Sequence, residues 1–460
     1  MSTLTGLLDT ARSALLAHQM ALNVTGHNVA NVSTEGYTRQ RLELGARLGS
    51  EQRLRGIGAG VEPIALQRLR LEHFDRSYRR ELAGLGSADQ RDQLLRGIEA
   101  VVGEPGTPGV GDALDSFFSA WADLGNEPAE ESYRRAVLEA GSRLAGRLNQ
   151  LNGQLRAQRT DTNLEVASIG RQINEKTARL ADLNRNIQSA EQGGRSASDL
   201  RDARDLLVDD LARLVDVRAA EDAQGTYRVW VGGRALVDGV HAVPLSLRQE
   251  PGGDGTVLTR LDWSDTGAAI RPRSGELAGL LEVRDTVIPA RLAELDALAA
   301  ELVREVNTLH RGGSDLAGRA GRDFFDPARP GAADIALSRW VLDDPQRVAA
   351  SADGGIGNGE AAAAIALLAE RGLAGLSGRS LGEAWGSLVS QVGAETARAA
   401  DERSIQQAFV TELDARRQSM SGVNLDEELT RMMAQEQAYA AAARVVSVAD
   451  NMLLEVLKLV

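Results

Sequence analysis

LDEELTRMMAQEQAYAAAARVVSVADNMLLEVLKLV, residues 425–460, runs without a glycine or proline. Stepping by four and three from Leu425 lands on Leu429, Met432, Glu436, Tyr439, Ala443, Val446, Asp450, Leu453, Leu457 and Val460, an apolar seam broken only by Glu436 and Asp450. Val445, Ala449, Met452, Val456 and Leu459 add a second stripe, so the apolar face is wider than one partner helix covers. Asn424 is placed to cap the helix, with Glu427 three residues on in a capping-box-like pattern. Alone, the segment reads as a core helix of a globular domain. The amino terminus changes that reading, because Leu4, Leu8, Ala11, Leu15, His18, Leu22, Thr25 and Val29 repeat the same spacing. Two seams at opposite ends predict terminal helices that pair in a coiled-coil-like domain.

Composition narrows the class of molecule. The chain has 460 residues, 25% of them charged and only 3% aromatic, which predicts an elongated, mainly helical protein packed through Leu, Val and Ala. A net charge of −13 argues against nucleic acid or an anionic membrane surface as the main partner. With no cysteine there is no disulfide, thiolate metal site or cysteine nucleophile. Asp9, Arg12, His18 and Gln19 interrupt any leader-like apolar run at the start, and no stretch reaches the ~18 apolar residues of a membrane span. No membrane insertion is expected, and any route out of the cell is expected to bypass a cleaved signal peptide.

Between the ends the pattern changes several times. The first helix is expected to stop within 28–36, where Asn, Ser and Thr compete for backbone hydrogen bonds and Gly36 allows φ > 0. Residues 37–44 alternate like a strand, and the glycines of 56–60 read as a turn. Helical patterning resumes at Ser87 and again at Asp112, on either side of a Pro/Gly loop at 103–111. Leu144, Leu148, Leu151 and Leu155 make one seam, and Ile169, Ile173, Leu180, Leu183 and Ile187 another, read as long helices lying side by side. Gly193 and Gly194 end that run before a shorter helix through Leu200, Leu207, Leu211 and Leu214. Tyr227, Val229 and Val231, a Gly232-Gly233 turn and residues 235–237 predict a hairpin, with further strands at 241–247 and 256–263. Helices follow at 288–309, 381–392 and 394–420. The expected domains are therefore 1–36 with 424–460 as a discontinuous terminal unit, 37–86 as a β-rich connection, 87–217 with 274–423 as a discontinuous helical core, and 218–273 as a small β-rich part.

The run ANVSTEGYTRQ, residues 30–40, resembles the amino-terminal signature of the axial proteins of the bacterial flagellum. Asn28, Asn31, Thr34, Gly36, Tyr37, Arg39 and Gln40 carry that signature, and 58–61 with Arg70 and Phe74-Asp75-Arg76 resemble the segment that follows it. Asn126-Glu127-Pro128, Arg134-Arg135, Ile173-Asn174-Glu175, residues 183–187 and 199–205, Arg284-Asp285, Asn307 and Phe324-Phe325 are similar to the helical domain of the flagellar hook-associated protein 1 (FlgK) family. SGVNLDEE at 421–428, Gln437-Ala438-Tyr439 and residues 446–450 resemble the family's carboxyl-terminal signature. The resemblance implies a structural, non-catalytic component of the hook–filament junction, forming a ring of its own copies. It also implies as neighbours the hook protein and the next hook-associated junction protein, with a flagellar export chaperone as a further partner. By the same resemblance, longer members carry more outer domain than this chain. The assembly seam is then Leu4, Leu8, Leu15, Leu22, Leu425, Leu429, Met432, Tyr439, Val446, Leu453, Leu457 and Val460, since one subunit cannot bury both wide faces alone.

Chemistry is sparse. No nucleophile–base constellation, nucleotide loop or cofactor motif is present, and the Asp199–Asp210 run reads as a solvated, salt-bridged face. His18 and His27 lie too far apart on their helix to share a metal. Residues 353–360 cluster oxygen ligands between glycines but lack the spacing of a calcium loop. No catalytic, cofactor or metal residues are expected. Two other readings stay open: a hook or distal rod protein, whose middle would be β-rich where 112–217 is helical, and a cell-wall hydrolase carrying axial termini.

Overall fold

A computed structural model describes residues 2–47, 60–103, 109–192, 196–222, 224–253 and 255–458. Helix α1 (Ser2–Ala30) leads through a turn into the antiparallel strands β1 (Gln40–Ala46) and β2 (Val61–Arg68). Helices α2 (Glu72–Gly103), α3 (Val110–Asn126), α4 (Glu131–Gln192) and α5 (Ser198–Leu214) follow. Strands β3 (Val217–Glu221), β4 (Tyr227–Val231), β5 (Arg234–Asp238) and β6 (His241–Ala242) form an antiparallel meander, and β7 (Leu245–Pro251) pairs with β8 (Val257–Trp263). Helices α6 (Glu276–Glu282), α7 (Ile288–Gly312), α8 (Arg339–Leu342), α9 (Glu360–Ala366), α10 (Leu381–Ser421) and α11 (Leu425–Lys458) complete the chain. The glycine loop below Gly60, most of the 103–111 loop, the Gly193-Gly194 break and Asp254 lie outside the described residues.

The helices are longer and fewer than the sequence patterns imply. The two leucine–isoleucine seams belong to one 62-residue helix, α4, about 90 Å long at 1.5 Å per residue. They are stacked end to end, and each faces a different core. Leu144, Leu148, Leu151 and Leu155 pack with Phe117, Trp121, Leu295, Phe324 and Phe325, whereas Ile169, Ile173, Leu180 and Ile187 pack with Leu207, Leu211, Val229, Val231 and Trp263. A seam fixes which face is buried, but not whether its neighbour in sequence starts a new helix. Likewise 381–420 is one helix, because Gly393 does not interrupt it, and α2 starts at Glu72, inside the segment expected to be β-rich.

Where the two cores meet, α6 runs into α7 through a π-helical turn, Val283–Val287. Such a turn displaces the regular backbone ladder and frees a carbonyl. The Arg284 carbonyl accepts from Arg159 Nε (3.0 Å), and the buried Arg284 guanidinium donates to Asn163 Oδ1 (3.0 Å) and Thr259 O (2.7 Å). The strand meander is fixed to α4 by Asn184, which donates to Tyr227 O (2.9 Å) and Gly239 O (2.7 Å) and accepts from Tyr227 N (3.1 Å). Gly232 and Gly233 both have positive φ, 57° and 87°, as the expected two-residue turn requires.

His310, on α7, is fully buried between Trp121 and Phe324. Its Nδ1–H donates to Arg322 O, and its Nε2 accepts from Ala349 N (2.9 Å), so both nitrogens are used by the neutral ring. Burial pushes its pKa down to about 4. An unfolded histidine binds its proton near pH 6.5, so between the two values the unfolded chain holds the extra proton and stability rises with pH. The contribution, about 3 kcal/mol, is complete above pH 6.5 and is lost as pH falls toward 4. Urea titrations are expected to show the central cores weaker at pH 5 than at pH 7, with that difference reduced in His310→Gln. An unchanged difference in the variant would contradict the assignment.

Candidate functional site

The two terminal helices form an antiparallel hairpin. Asn28 meets Glu428, and His18 meets Gln435 across the pair (Nδ1···Oε1 2.7 Å). The inner faces are built from small and polar residues: Ala11, Ala21, Thr25 and Asn28 are buried on α1, and Glu428, Ala442 and Ala449 on α11. Alanine on both sides lets the helix axes approach closely, so the large side chains turn outward or to the flanks. Of the expected seam, Leu4, Leu8, Leu15, Leu22, Met432, Val446 and Leu453 are half-buried flanking residues, whereas Leu425, Leu429 and Tyr439 are exposed. Val460 and the side chain of Leu457 lie outside the described residues. The inward stripe of α11 runs through Glu428, Gln435, Ala442 and Ala449, one position before the line through Leu429, Glu436, Ala443 and Asp450. Leu7, Leu16, Met20, Met433, Val445, Val448, Met452 and Val456 add to the exposed apolar surface.

At the base of the hairpin, the amino-terminal signature becomes a joint. The Asn28 side chain, 1% exposed, uses all its bonding capacity. It donates to Gln40 O and Glu428 Oε2, both at 2.9 Å, and accepts from Tyr37 OH (2.8 Å) and Gln40 N (3.0 Å). Arg39 closes on Glu428 through Nε (2.7 Å) and reaches Glu427 (2.8 Å). Glu427 therefore serves Arg39, while Asn424 caps α11 by accepting from Asp426 N at 3.0 Å. Charge-assisted bonds of this kind are stronger than neutral ones and hold a fixed geometry.

The joint continues into the helical body along one face of α5. Asp202 accepts from Thr38 N (3.0 Å) and pairs with Arg68 (2.7 Å), Asp205 pairs with Arg68 (3.0 Å) and Arg70, and Asp209 pairs with Arg79 (2.6 Å) and Arg417 (2.5 Å). These three aspartates are buried, so the middle of the run expected to be solvated is salt-bridged but dry, while Asp199 and Asp210 at its ends stay exposed. Burial alone would raise the Asp205 carboxyl, but Arg70, Arg79 and Arg68 outweigh it and hold the pKa down at about 2. For Asp202 the balance tips the other way: burial raises it despite Thr38 and Arg68. Tyr37 is pushed up by burial and by the nearby Asp199, Asp202 and Glu428, which keeps its hydroxyl a donor. Arg68 and Arg417 carry no sequence signal of their own, and Asp202, Asp205 and Glu428 stand in the sequence only as parts of the family resemblance, with nothing there to mark them as a joint. The available signal was the spacing of carboxylates three or four residues apart on α5.

Asn31 and Thr34 hold the turn instead of the joint: Thr34 Oγ1 donates to Asn31 Oδ1 (3.1 Å), and Asn31 Nδ2 donates to His27 O (2.9 Å). Gly36 has φ 75°, and a Cβ there would lie 3.4 Å from Leu206. A β-branched residue in this conformation costs about 1–2 kcal/mol, and the strain falls on the turn that aims Tyr37 and Arg39. Gly36→Val is expected to lower incorporation into the assembled structure by about 5- to 30-fold while the melting of the central cores scarcely moves. Immunoblots of sheared flagella beside calorimetry of the purified chain check both halves.

Among the described residues no group of three or more His, Asp or Glu is arranged to hold a metal. In the 353–360 loop, Asp353 Oδ1 accepts from Gly355 N (2.8 Å) and Asn358 Oδ1 from Glu360 N (3.0 Å), so these oxygens are spent on the turn. No described helix is long and apolar enough to cross a membrane. The arrangement is equipped for contact, with a wide apolar surface on a hairpin held at a set angle by buried ion pairs.

Comparison with known proteins agrees along the length of the chain. Residues 89–325 match the model of the flagellar hook-associated protein FlgK helical domain. Residues 8–38 match that of the flagella basal body rod protein family, and 416–459 that of the flagellar basal body rod FlgEFG protein C-terminal region. The chain is 29% identical to flagellar hook-associated protein 1 of Bacillus subtilis, over 99% of this chain and 98% of that one. It is 24% identical to flagellar hook-associated protein 1 of Escherichia coli, over 97% of this chain and 98% of that one. The structure of the flagellar hook junction protein FlgK from Burkholderia pseudomallei superimposes with a TM-score of 0.66 at 16% identity, covering 75% of this chain and all of that one.

Proposed function

Because the chain belongs to the FlgK family of flagellar hook-associated proteins, we propose that it is a structural subunit of the hook–filament junction, working by assembly and not by catalysis. The observation that carries this is the terminal hairpin: its inner faces are satisfied by small and polar residues, while leucines, methionines and valines of both helices face outward. Patches of that kind on a soluble chain mark surfaces that await a partner. Copies of the chain then stand in a ring, their hairpins side by side, between the hook protein and the next hook-associated junction protein on which the filament grows. A flagellar export chaperone shields the termini beforehand. The chain leaves the cell through the flagellum's own export channel and ends outside it. Cells lacking the protein are expected to build hooks without filaments and to release flagellin into the medium. Electron microscopy and immunoblotting test this, and normal filaments in the deletion strain would overturn it.

A further inference from the structure

A second surface lies away from the hairpin, between the start of α2 and the free edge of the strand meander. It is a cleft of about 1020 Å³ lined by Arg76, Arg79, Arg80, Arg218, Arg273 and Trp230, with residues 216–220 running along it. Strand β3 pairs only with β4, so its outer edge has no strand partner among the described residues. Ala219 and Ala220 on β3 and Ala83, Gly232 and Gly233 around it are small residues, which leaves room in the cleft beside the strand.

The charge of the cleft is opposite to that of the molecule. Arg79 is engaged by Asp205 and Asp209, but Arg76, Arg80 and Arg218 are exposed and have no carboxylate within ion-pair distance among the described residues. Among the described residues Asp216 is the one acidic group lining the cleft, and its carboxylate accepts from Arg273 N (3.1 Å). Arginines nearby at the joint, such as Arg68, Arg70 and Arg417, are all paired. A concave arrangement of free guanidinium groups beside an open strand edge is suited to an extended segment bearing carboxylates.

We propose that the cleft receives an acidic segment of a neighbouring copy of the same chain, its carboxylates on Arg76, Arg80, Arg218 and Arg273 and its backbone along β3. Every copy carries a net charge of −13, so copies set side by side repel unless basic surface on one meets acidic surface on the next. This cleft supplies the basic half of that contact. The inference rests on the reading of the chain as one of several copies in the junction.

A photo-reactive benzoylphenylalanine in place of Ala220, in cells whose flagella carry only this form, tests it. Illumination of purified flagella is expected to give a covalent dimer of the chain, with the cross-linked peptide drawn from an acidic surface of the second copy. The dimer is expected to fall about tenfold or more with Arg76→Glu, Arg80→Glu and Arg218→Glu together, and to persist with the same three positions changed to Lys. Should the glutamate form fail to fold, the three changes to Gln remove the charge without reversing it and are expected to lower the dimer as well. A cross-link to a different protein, no dimer at all, or a dimer indifferent to these charges would overturn the proposal. Presence of the chain in flagella without the dimer removes this inference alone, whereas absence of the chain from flagella removes the junction assignment with it.

Discussion

Glu428→Ala is expected to free the terminal hairpin from the rest of the molecule while the two central cores melt as before. Glu428 is 1% exposed and is held by Arg39 and Asn28, with Arg431 at 3.8 Å. Removing it leaves the buried Arg39 guanidinium with only the half-exposed Glu427, and breaking one side of a buried pair costs roughly 3–5 kcal/mol. Asn28 Nδ2 also loses an acceptor. None of these groups touches the clusters around Trp121 or Val229, so the loss stays at the base of α11. Limited proteolysis is expected to cut the 421–425 linker faster by two orders of magnitude or more, with calorimetry of the cores unchanged. Glu428→Gln, which keeps the shape and the Asn28 bond, is expected to fall between. Equal protease resistance in all three forms would refute the joint.

The second large effect lies on the outer face of the same hairpin. Val448→Lys with Met452→Lys is expected to abolish the junction without changing the isolated protein. These side chains are 49% and 47% exposed and lie one turn apart on α11, so the monomer has little contact to lose. Burying the exposed half of each against a neighbour is worth roughly 0.7–1.5 kcal/mol, and an unpaired lysine brought into that contact adds a desolvation penalty. In a ring, the loss recurs at every interface. Cells carrying only the double variant are expected to be non-motile, with hooks lacking filaments and the variant in the medium. Leu453→Lys, half-buried on the hairpin's flank, is expected in addition to loosen α11 in the monomer. Filaments of normal length in the double variant would exclude this face from assembly.

How much of this was readable beforehand depended on sequence distance. The pairing of the end helices, the hairpin at Gly232-Gly233 and the need for positive φ at Gly36 all came from local pattern. The register of α11 did not. Stepping through the largest apolar residues selects Leu425, Leu429 and Tyr439, but the structure turns Glu428, Ala442 and Ala449 inward, because alanine permits close approach and Glu428 has an arginine waiting. Arg39 was legible as part of a signature, yet its partner lies 389 residues away and no periodicity connects them. The same limit hid the α5 aspartates: a carboxylate every third or fourth residue looks solvated until the arginines of β2, α2 and α10 are brought to it. The continuity of α4 is hidden in the sequence for a different reason. Two seams with different partners look like two helices unless a helix-breaking residue is demanded between them.

The bond between Asn28 and Glu428 closes a loop of 400 residues. From an unfolded chain, joining points that far apart costs about 5 kcal/mol in chain entropy, more than the first few contacts of the hairpin return. Packing of α2 against α10, held by pairs such as Arg91 with Glu402 (2.9 Å), removes most of that distance, because Ser421 O then accepts from Arg39 N (2.9 Å). Closure of the terminal hairpin is therefore expected to follow packing of the middle. A chain released amino end first holds α1 without its partner until residues beyond 428 are free. The outward apolar face that both helices build is thus complete only once the whole chain has been made, so the surface exists in no shorter fragment of the amino end.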